Sequence, residues 1–205
     1  MGEGSNPPLG AFRLPRGRHG IPPEQVAESQ RWRLLGAVAE VLAERGYARV
    51  RVSDVAARAG VSRGTFYEFF EDLPACLLAA YEMVAECVCD LGASACGAEG
   101  EWEGRLRVAL EEILRFLAEE PALAQLLSAE VTAGVPAVAA ARERLLDRLT
   151  ETGAERHSLE GAFALALARI ASGEAVDLPG LAPQLAELIL RVAGPARRQR
   201  DAPAR

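Results

Sequence analysis

The stretch from Val52 to Phe70, V-S-D-V-A-A-R-A-G-V-S-R-G-T-F-Y-E-F-F, constrains the fold of this chain more than any other. Asp54 falls in the first turn of a short helix, where the helix dipole favours an acid, and Val55, Ala56 and Ala59 form its buried side. Ser53 or the residue before it is the expected cap. The helix must stop at Gly60-Val61, because glycine enters the left-handed conformation at no steric cost. Ser62 then caps a second helix, expected to run through Phe70. Ala56 is small enough for that helix to cross closely, so the object is a helix-turn-helix.

The flanking sequence is helical as well. From Pro23 to Arg45, Leu34, Leu35, Val38, Val41 and Leu42 make one stripe of a 3.6-residue repeat, with Gly46 as the expected C-cap. Asp72 is placed to cap a longer helix, with Pro74 tolerated in its first turn. After a break at Gly97 to Gly100, residues 101–119 carry the stripe Leu106, Leu110, Ile113, Leu114 and Leu117. Pro121 opens a helix expected to end near Gly134, and Pro136 another ending near Gly153. Residues 158–172 and 181–192 are apolar almost all round. Alanine and leucine dominate, β-branched and aromatic residues are sparse, and neither a strand pattern nor an internal repeat is present. The fold class is therefore all-α. The expected division is a flexible basic arm at 1–22, a helix-turn-helix domain at 23–72, a helical body at 73–193 and a disordered tail at 194–205.

The formal net charge of −6 would ordinarily argue against nucleic acid, but its distribution does not. Residues 1–70 carry ten Arg against seven acids, +3, while residues 71–205 carry thirteen against twenty-two, −9. All the basic residues are arginines. A mildly basic head on an acidic body suits polyanion contacts at one end. The first turn of the second helix, Ser62, Arg63, Gly64 and Thr65, is small and basic, as entry into the DNA major groove requires. Its exposed N–H groups and the Ser62 and Thr65 hydroxyls are suited to phosphates. Arg51 and Ser53, at the start of the first helix of the pair, complete the expected DNA-facing set.

Other chemistries find little support. No Ser-His-Asp order, phosphate-binding loop or dinucleotide glycine pattern is present, so catalysis is not expected. His19 and His157 lack a second ligand at metal spacing, and neither a metal nor a cofactor is expected. Cys87 and Cys89 would lie about 200° apart around a helix, and Cys76 about three turns from Cys87, so the cysteines read as small buried hydrophobes. No apolar run reaches the roughly 18 residues of a membrane span, and the N-terminus lacks a signal-peptide core. A cytoplasmic protein with reduced thiols is the expectation.

Through L-L-G-A-V-A-E-V-L-A-E-R-G-Y, D-V-A-A-R-A-G-V-S-R-G-T-F-Y and F-F-E-D, between about Arg31 and Tyr81, the sequence resembles the tetracycline-repressor (TetR) family of regulators. The resemblance covers about a quarter of the chain. It implies Arg63 and Gly64 at base edges, Ser62, Thr65 and Tyr67 on phosphates, and Phe66 and Phe70 in the core. It also implies a homodimer paired through the last two apolar helices, a near-palindromic double-stranded operator, and release by a small-molecule effector. Tyr81, Val84, Trp102 and Phe116 lie in the helices that would enclose that effector, and a lining of Leu, Ala, Val and Phe points to something largely apolar. Two positions depart from the family: Phe69 replaces its usual His or Tyr, and Leu73 its usual Lys. Both lose a phosphate contact, which shifts weight to Arg16 and Arg18 of the arm as minor-groove contacts. The rival reading is a small-molecule binding protein with a vestigial helix-turn-helix.

Overall fold

The computed structural model describes residues 23–96 and 100–192, and the arm and tail expected from the sequence lie outside them. Among the described residues the chain is helical throughout, with no strand. The order is α1 (Pro23–Arg45), α2 (Val52–Ala59), α3 (Arg63–Phe69), α4 (Leu73–Cys96), α5 (Trp102–Glu119), α6 (Pro121–Leu126), α7 (Ala129–Gly134), α8 (Pro136–Glu151), α9 (Arg156–Ala171) and α10 (Ala182–Val192). A 3-10 turn at Tyr47–Arg49 follows α1, and a second at Ala175–Leu181 precedes α10.

The head is built from α1, α2 and α3. The stripe Leu34, Leu35, Val38, Val41 and Leu42 is buried against Val55, Ala56, Ala59, Phe66 and Phe70. Gly60 ends α2 at φ 67°, ψ 36°, and the Val61 N–H returns to the Ala56 carbonyl at 3.0 Å. That left-handed residue closes the turn, and any Cβ there would be strained. On the outer face, Arg58 of α2 spans two acids of α1, Glu40 at 2.8 Å and Glu44 at 2.6 Å, and Arg45 meets Asp54 at 2.7 Å. The Arg58 guanidinium holds the Glu44 carboxyl below the usual range. Such exposed pairs fix register more than they stabilise.

α4 leaves the head and becomes the central helix of the body, packing on α1, α5, α6 and α8. Its start is capped as expected: the Asp72 carboxylate accepts the Ala75 N–H at 2.7 Å. Glu82–Arg144 at 3.0 Å and Glu86–Arg148 at 2.6 Å are successive rungs that tie α4 to α8 one turn apart. Arg156 joins α9 to α8 through Glu143 and Asp147. A further contact links the head to the body. The Tyr47 hydroxyl donates to the Gly134 carbonyl at 2.9 Å, and its ring lies so close that a Cβ on Gly134 would come within 2.1 Å of it.

Two sequence expectations change. The helix expected from Pro121 to Gly134 is two, α6 and α7. The Leu127 and Ser128 N–H groups bond three residues back and Ser128 is extended, a tightened end that no glycine or proline announces. α2 is not capped by Ser53 or Val52, because Arg51 holds the N-cap position in extended conformation and its carbonyl accepts from Asp54 and Val55. Ser53 therefore lies inside the first turn and is exposed. The segment ahead of α10 is a 3-10 turn anchored by fully buried Leu178.

Phe66 is wholly buried where α3 meets α1 and α2, so Phe66→Ala should destabilise the protein by about 3–5 kcal/mol. Urea denaturation followed by circular dichroism measures it, and a loss under about 1 kcal/mol would contradict this packing.

Candidate DNA-binding surface and effector cavity

The turn between α2 and α3 sets the recognition surface. Ser62 is extended at φ −76°, ψ 160°, and its Oγ accepts the Thr65 N–H at 2.9 Å. The two hydroxyl oxygens of Ser62 and Thr65 are 3.0 Å apart. That cap projects Arg63 and Gly64 from the first turn of α3, and both are exposed. Tyr67, one turn further along, is 51% exposed and is held edge-on against buried Phe66, ring centroids 5.4 Å apart. Arg51 and Ser53 stand exposed at the start of α2.

Charge separates four arginines around the helix-turn-helix into two groups. Arg45 and Arg58 are tied to carboxylates and hold α1 to α2. Arg51 and Arg63 make no ion pair among the described residues, so their guanidinium groups remain available to an external anion. An exposed helix start with two uncommitted cations, hydroxyls and a tyrosine is suited to phosphates and base edges. Phe69 is half-buried against the core and Leu73 begins α4, so neither supplies a phosphate contact of the kind the family has there.

The second feature is an apolar cavity in the body, with a volume of about 90 Å³. Val88 and Gly92 of α4 form one wall, and Leu106, Leu110, Ile113, Leu114 and Leu117 of α5 another. α9 contributes Leu159, Phe163, Leu167 and Ile170, and α10 closes the end with Leu185 and Ile189. Thr152 is the single polar lining residue, and its hydroxyl donates to the Leu149 carbonyl at 2.7 Å.

None of the four residues expected to enclose an effector lines this cavity. Tyr81 and Val84 are fully buried on α4 in the core, where burial also pushes the Tyr81 phenol up. Trp102 donates its indole N–H to the Thr152 carbonyl at 3.2 Å, and Phe116 is half-buried against the core. The wall is made instead by the α5 stripe that the sequence shows plainly, and by faces of α9 and α10 that the sequence assigns to pairing. The signal for α9 is its apolar character on more than one side: Leu159, Phe163 and Leu167 turn inward, while Gly161, Ala164 and Ala168 are exposed.

Cys76 and Cys89 are buried and Cys87 is half-buried. Burial pushes the Cys76 thiol up to about 12. At pH 8 Cys76 should therefore resist iodoacetamide in the folded protein and react once urea unfolds it, by mass mapping. Modification of Cys76 in the folded state would contradict this. Ser62→Ala should remove the α3 cap at a cost of about 1 kcal/mol, read as a lower Tm. An unchanged Tm would show that the cap is idle.

A helix-turn-helix with an exposed, uncommitted recognition turn defines a DNA-binding protein. Residues 34–80 match the family model described as bacterial regulatory proteins, tetR family. Solved structures agree over most of the chain. The fatty acid degradation regulator FadR from Bacillus halodurans is 22% identical, covering 87% of this chain and 99% of that one, with a TM-score of 0.69. A TetR-like transcriptional regulator from Rhodococcus sp. RHA1 is 25% identical, covering 85% and 100%, with a TM-score of 0.64. The transcriptional regulator FadR from Bacillus subtilis, in complex with stearoyl-CoA, is 20% identical, covering 77% and 96%, with a TM-score of 0.62. No curated protein sequence matches the chain. Residues 34–80 thus form a TetR-type DNA-binding head, and the chain as a whole has the fold of these TetR-like transcriptional regulators. Among the described residues, no helix is long and apolar enough to cross a membrane.

Proposed function

We propose that the chain is a homodimeric repressor, released from a near-palindromic operator when an apolar effector with an acyl-like tail fills the body cavity. The observation that carries this reading is that one helix serves both sites. The start of α4 closes the head core through Cys76, Leu77 and Ala80, and its end walls the cavity through Val88 and Gly92. A ligand that requires α4 to shift would move the recognition turn with it. Release then follows only if the ligand prefers the shifted state. Among the described lining residues all but Thr152 are apolar, and the Bacillus subtilis FadR structure is a complex with stearoyl-CoA.

In this reading residues 23–72 form the DNA-binding domain and 73–193 the effector-binding and dimerisation domain, with no catalytic step and no cofactor, acting in the cytoplasm. Arg63 and Gly64 reach base edges. Ser62, Thr65, Tyr67, Arg51 and Ser53 hold the backbone. Pairing uses the outer side of α9, where Gly161, Ala164 and Ala168 are exposed, together with half-exposed Leu188 and Leu190 of α10. Small residues there permit close helix approach across a two-fold axis. The two recognition helices would then read half-sites one helical turn apart, roughly 34–36 Å.

Selection of binding sites from random DNA by the purified full chain tests the reading, and it should return a near-palindrome. Recovery of no preferred sequence would favour the binding protein with a vestigial head. On the selected site, Arg63→Ala should cost about 1–3 kcal/mol and relax one base position per half-site. Tyr67→Ala should weaken all sequences alike and flatten the salt dependence. The same loss from both variants on specific and random DNA would refute these roles.

A further inference from the structure

α4 carries a glycine that its neighbours do not demand. Gly92 is buried within the helix, four residues before its last residue Cys96, where a missing side chain costs backbone entropy relative to alanine. A Cβ built on it would meet Leu149 Cδ2 at 3.7 Å and Ile113 Cδ1 at 3.9 Å, both ordinary contacts. Gly134 is the contrast, since a Cβ there would collide with the Tyr47 ring. Steric exclusion therefore does not account for Gly92. Its position does, because it lines the effector cavity where α4, α5 and the end of α8 converge.

The cavity's form indicates what this space accommodates. Its α5 wall runs from Leu106 to Leu117, eleven residues or about 16 Å along a helix, and its α9 wall runs as far, from Leu159 to Ile170. The only polar side chain among the described lining residues, Thr152, already donates its hydroxyl to the Leu149 carbonyl. An apolar lining drawn from this stretch of α5 and α9 suits an unbranched hydrocarbon tail and leaves any polar head outside it.

We infer that Gly92 is a specificity-determining residue of this site: by lacking a side chain it sets the depth of the cavity, and so the longest straight hydrocarbon tail that the protein accepts. The inference rests on the apolar-effector reading given above. Filling the position takes up space on the α4 side, next to Leu149 and Ile113, and leaves the walls formed by α9 and α10 unchanged. Discrimination is then by length, because each methylene that finds room adds a similar gain and the first that does not must displace Leu149 or Ile113.

Displacement of the fluorescent fatty acid cis-parinarate from the full chain tests it. The competitors are saturated fatty acids from octanoate to stearate and the matching CoA thioesters. For the unaltered protein, affinity should rise by up to about fourfold per methylene and then stop at a definite length. Gly92→Leu should move that stop to shorter chains and weaken the longest by about tenfold or more, with the shortest unaffected. Gly92→Ala, which the 3.7 Å clearance admits, should raise Tm and move the stop in the same direction by less, and it serves if the leucine variant does not fold. A stop at the same length in the acid and thioester series supports tail gauging, and a stop that shifts with the head group overturns it. Unchanged length profiles in the variants, with the unaltered protein still binding tails, would overturn the role of Gly92 and leave the apolar-effector reading standing. An unaltered protein that displaces the probe with no chain of any length would overturn both.

Discussion

The structure depends on the continuity of one apolar core along α4. A 24-residue helix is about 36 Å long, enough to pass through both the head and the body. Cys76, Leu77, Ala80, Tyr81 and Val84 are buried in succession along it, and they join the core under α1 and α3 to the core under α5 and α8 without a polar gap. Interiors packed at this density transmit displacement and do not absorb it. Among the described residues the buried side chains of the head belong to the same cluster as those of α4, so the packing of that helix bears directly on its orientation.

Two further contacts bear on how far the head can move. The ion-paired rungs from Glu82 and Glu86 bind α4 to α8, whose Leu149 lines the cavity, so a ligand pressing on α8 also loads α4. Tyr47 reaches from the head to the last carbonyl of α7. The rungs are exposed and each contributes little to stability, yet they are placed to keep α4 and α8 in step. The Tyr47 contact adds a second point of support, away from α4. A shift of α4 therefore also has to be accommodated at the Tyr47–Gly134 contact.

Much of the head is legible in the sequence because its determinants are local. Gly60 at positive φ, Ser62 accepting the Thr65 N–H and Asp72 accepting the Ala75 N–H each involve residues no more than a few positions apart, and each occurs as read. The cavity is not legible in that way. Its wall is assembled from α4, α5, α8, α9 and α10, and whether Leu106 faces a void or a neighbour depends on helices far along the chain. The aromatic cue misdirects the reading for the same reason: Tyr81 is large, apolar over most of its surface and near the expected site, and it fills the core instead. The break between α6 and α7 is hidden because it is made by tightened backbone bonds, with ordinary residues at Leu127 and Ser128.

Coupling between two binding equilibria is reciprocal, so a cavity coupled to the recognition turn must report on DNA binding as much as DNA binding reports on it. The most direct measurement is the affinity of a saturated acyl-CoA for the full chain, by titration calorimetry, in the absence of DNA and again with saturating selected operator. The account predicts that the operator weakens the acyl-CoA by the same factor by which the acyl-CoA weakens the operator, in the range of about 5–150-fold. An acyl-CoA that binds equally well with and without operator would show that the cavity and the DNA-binding surface are independent, and would contradict the account.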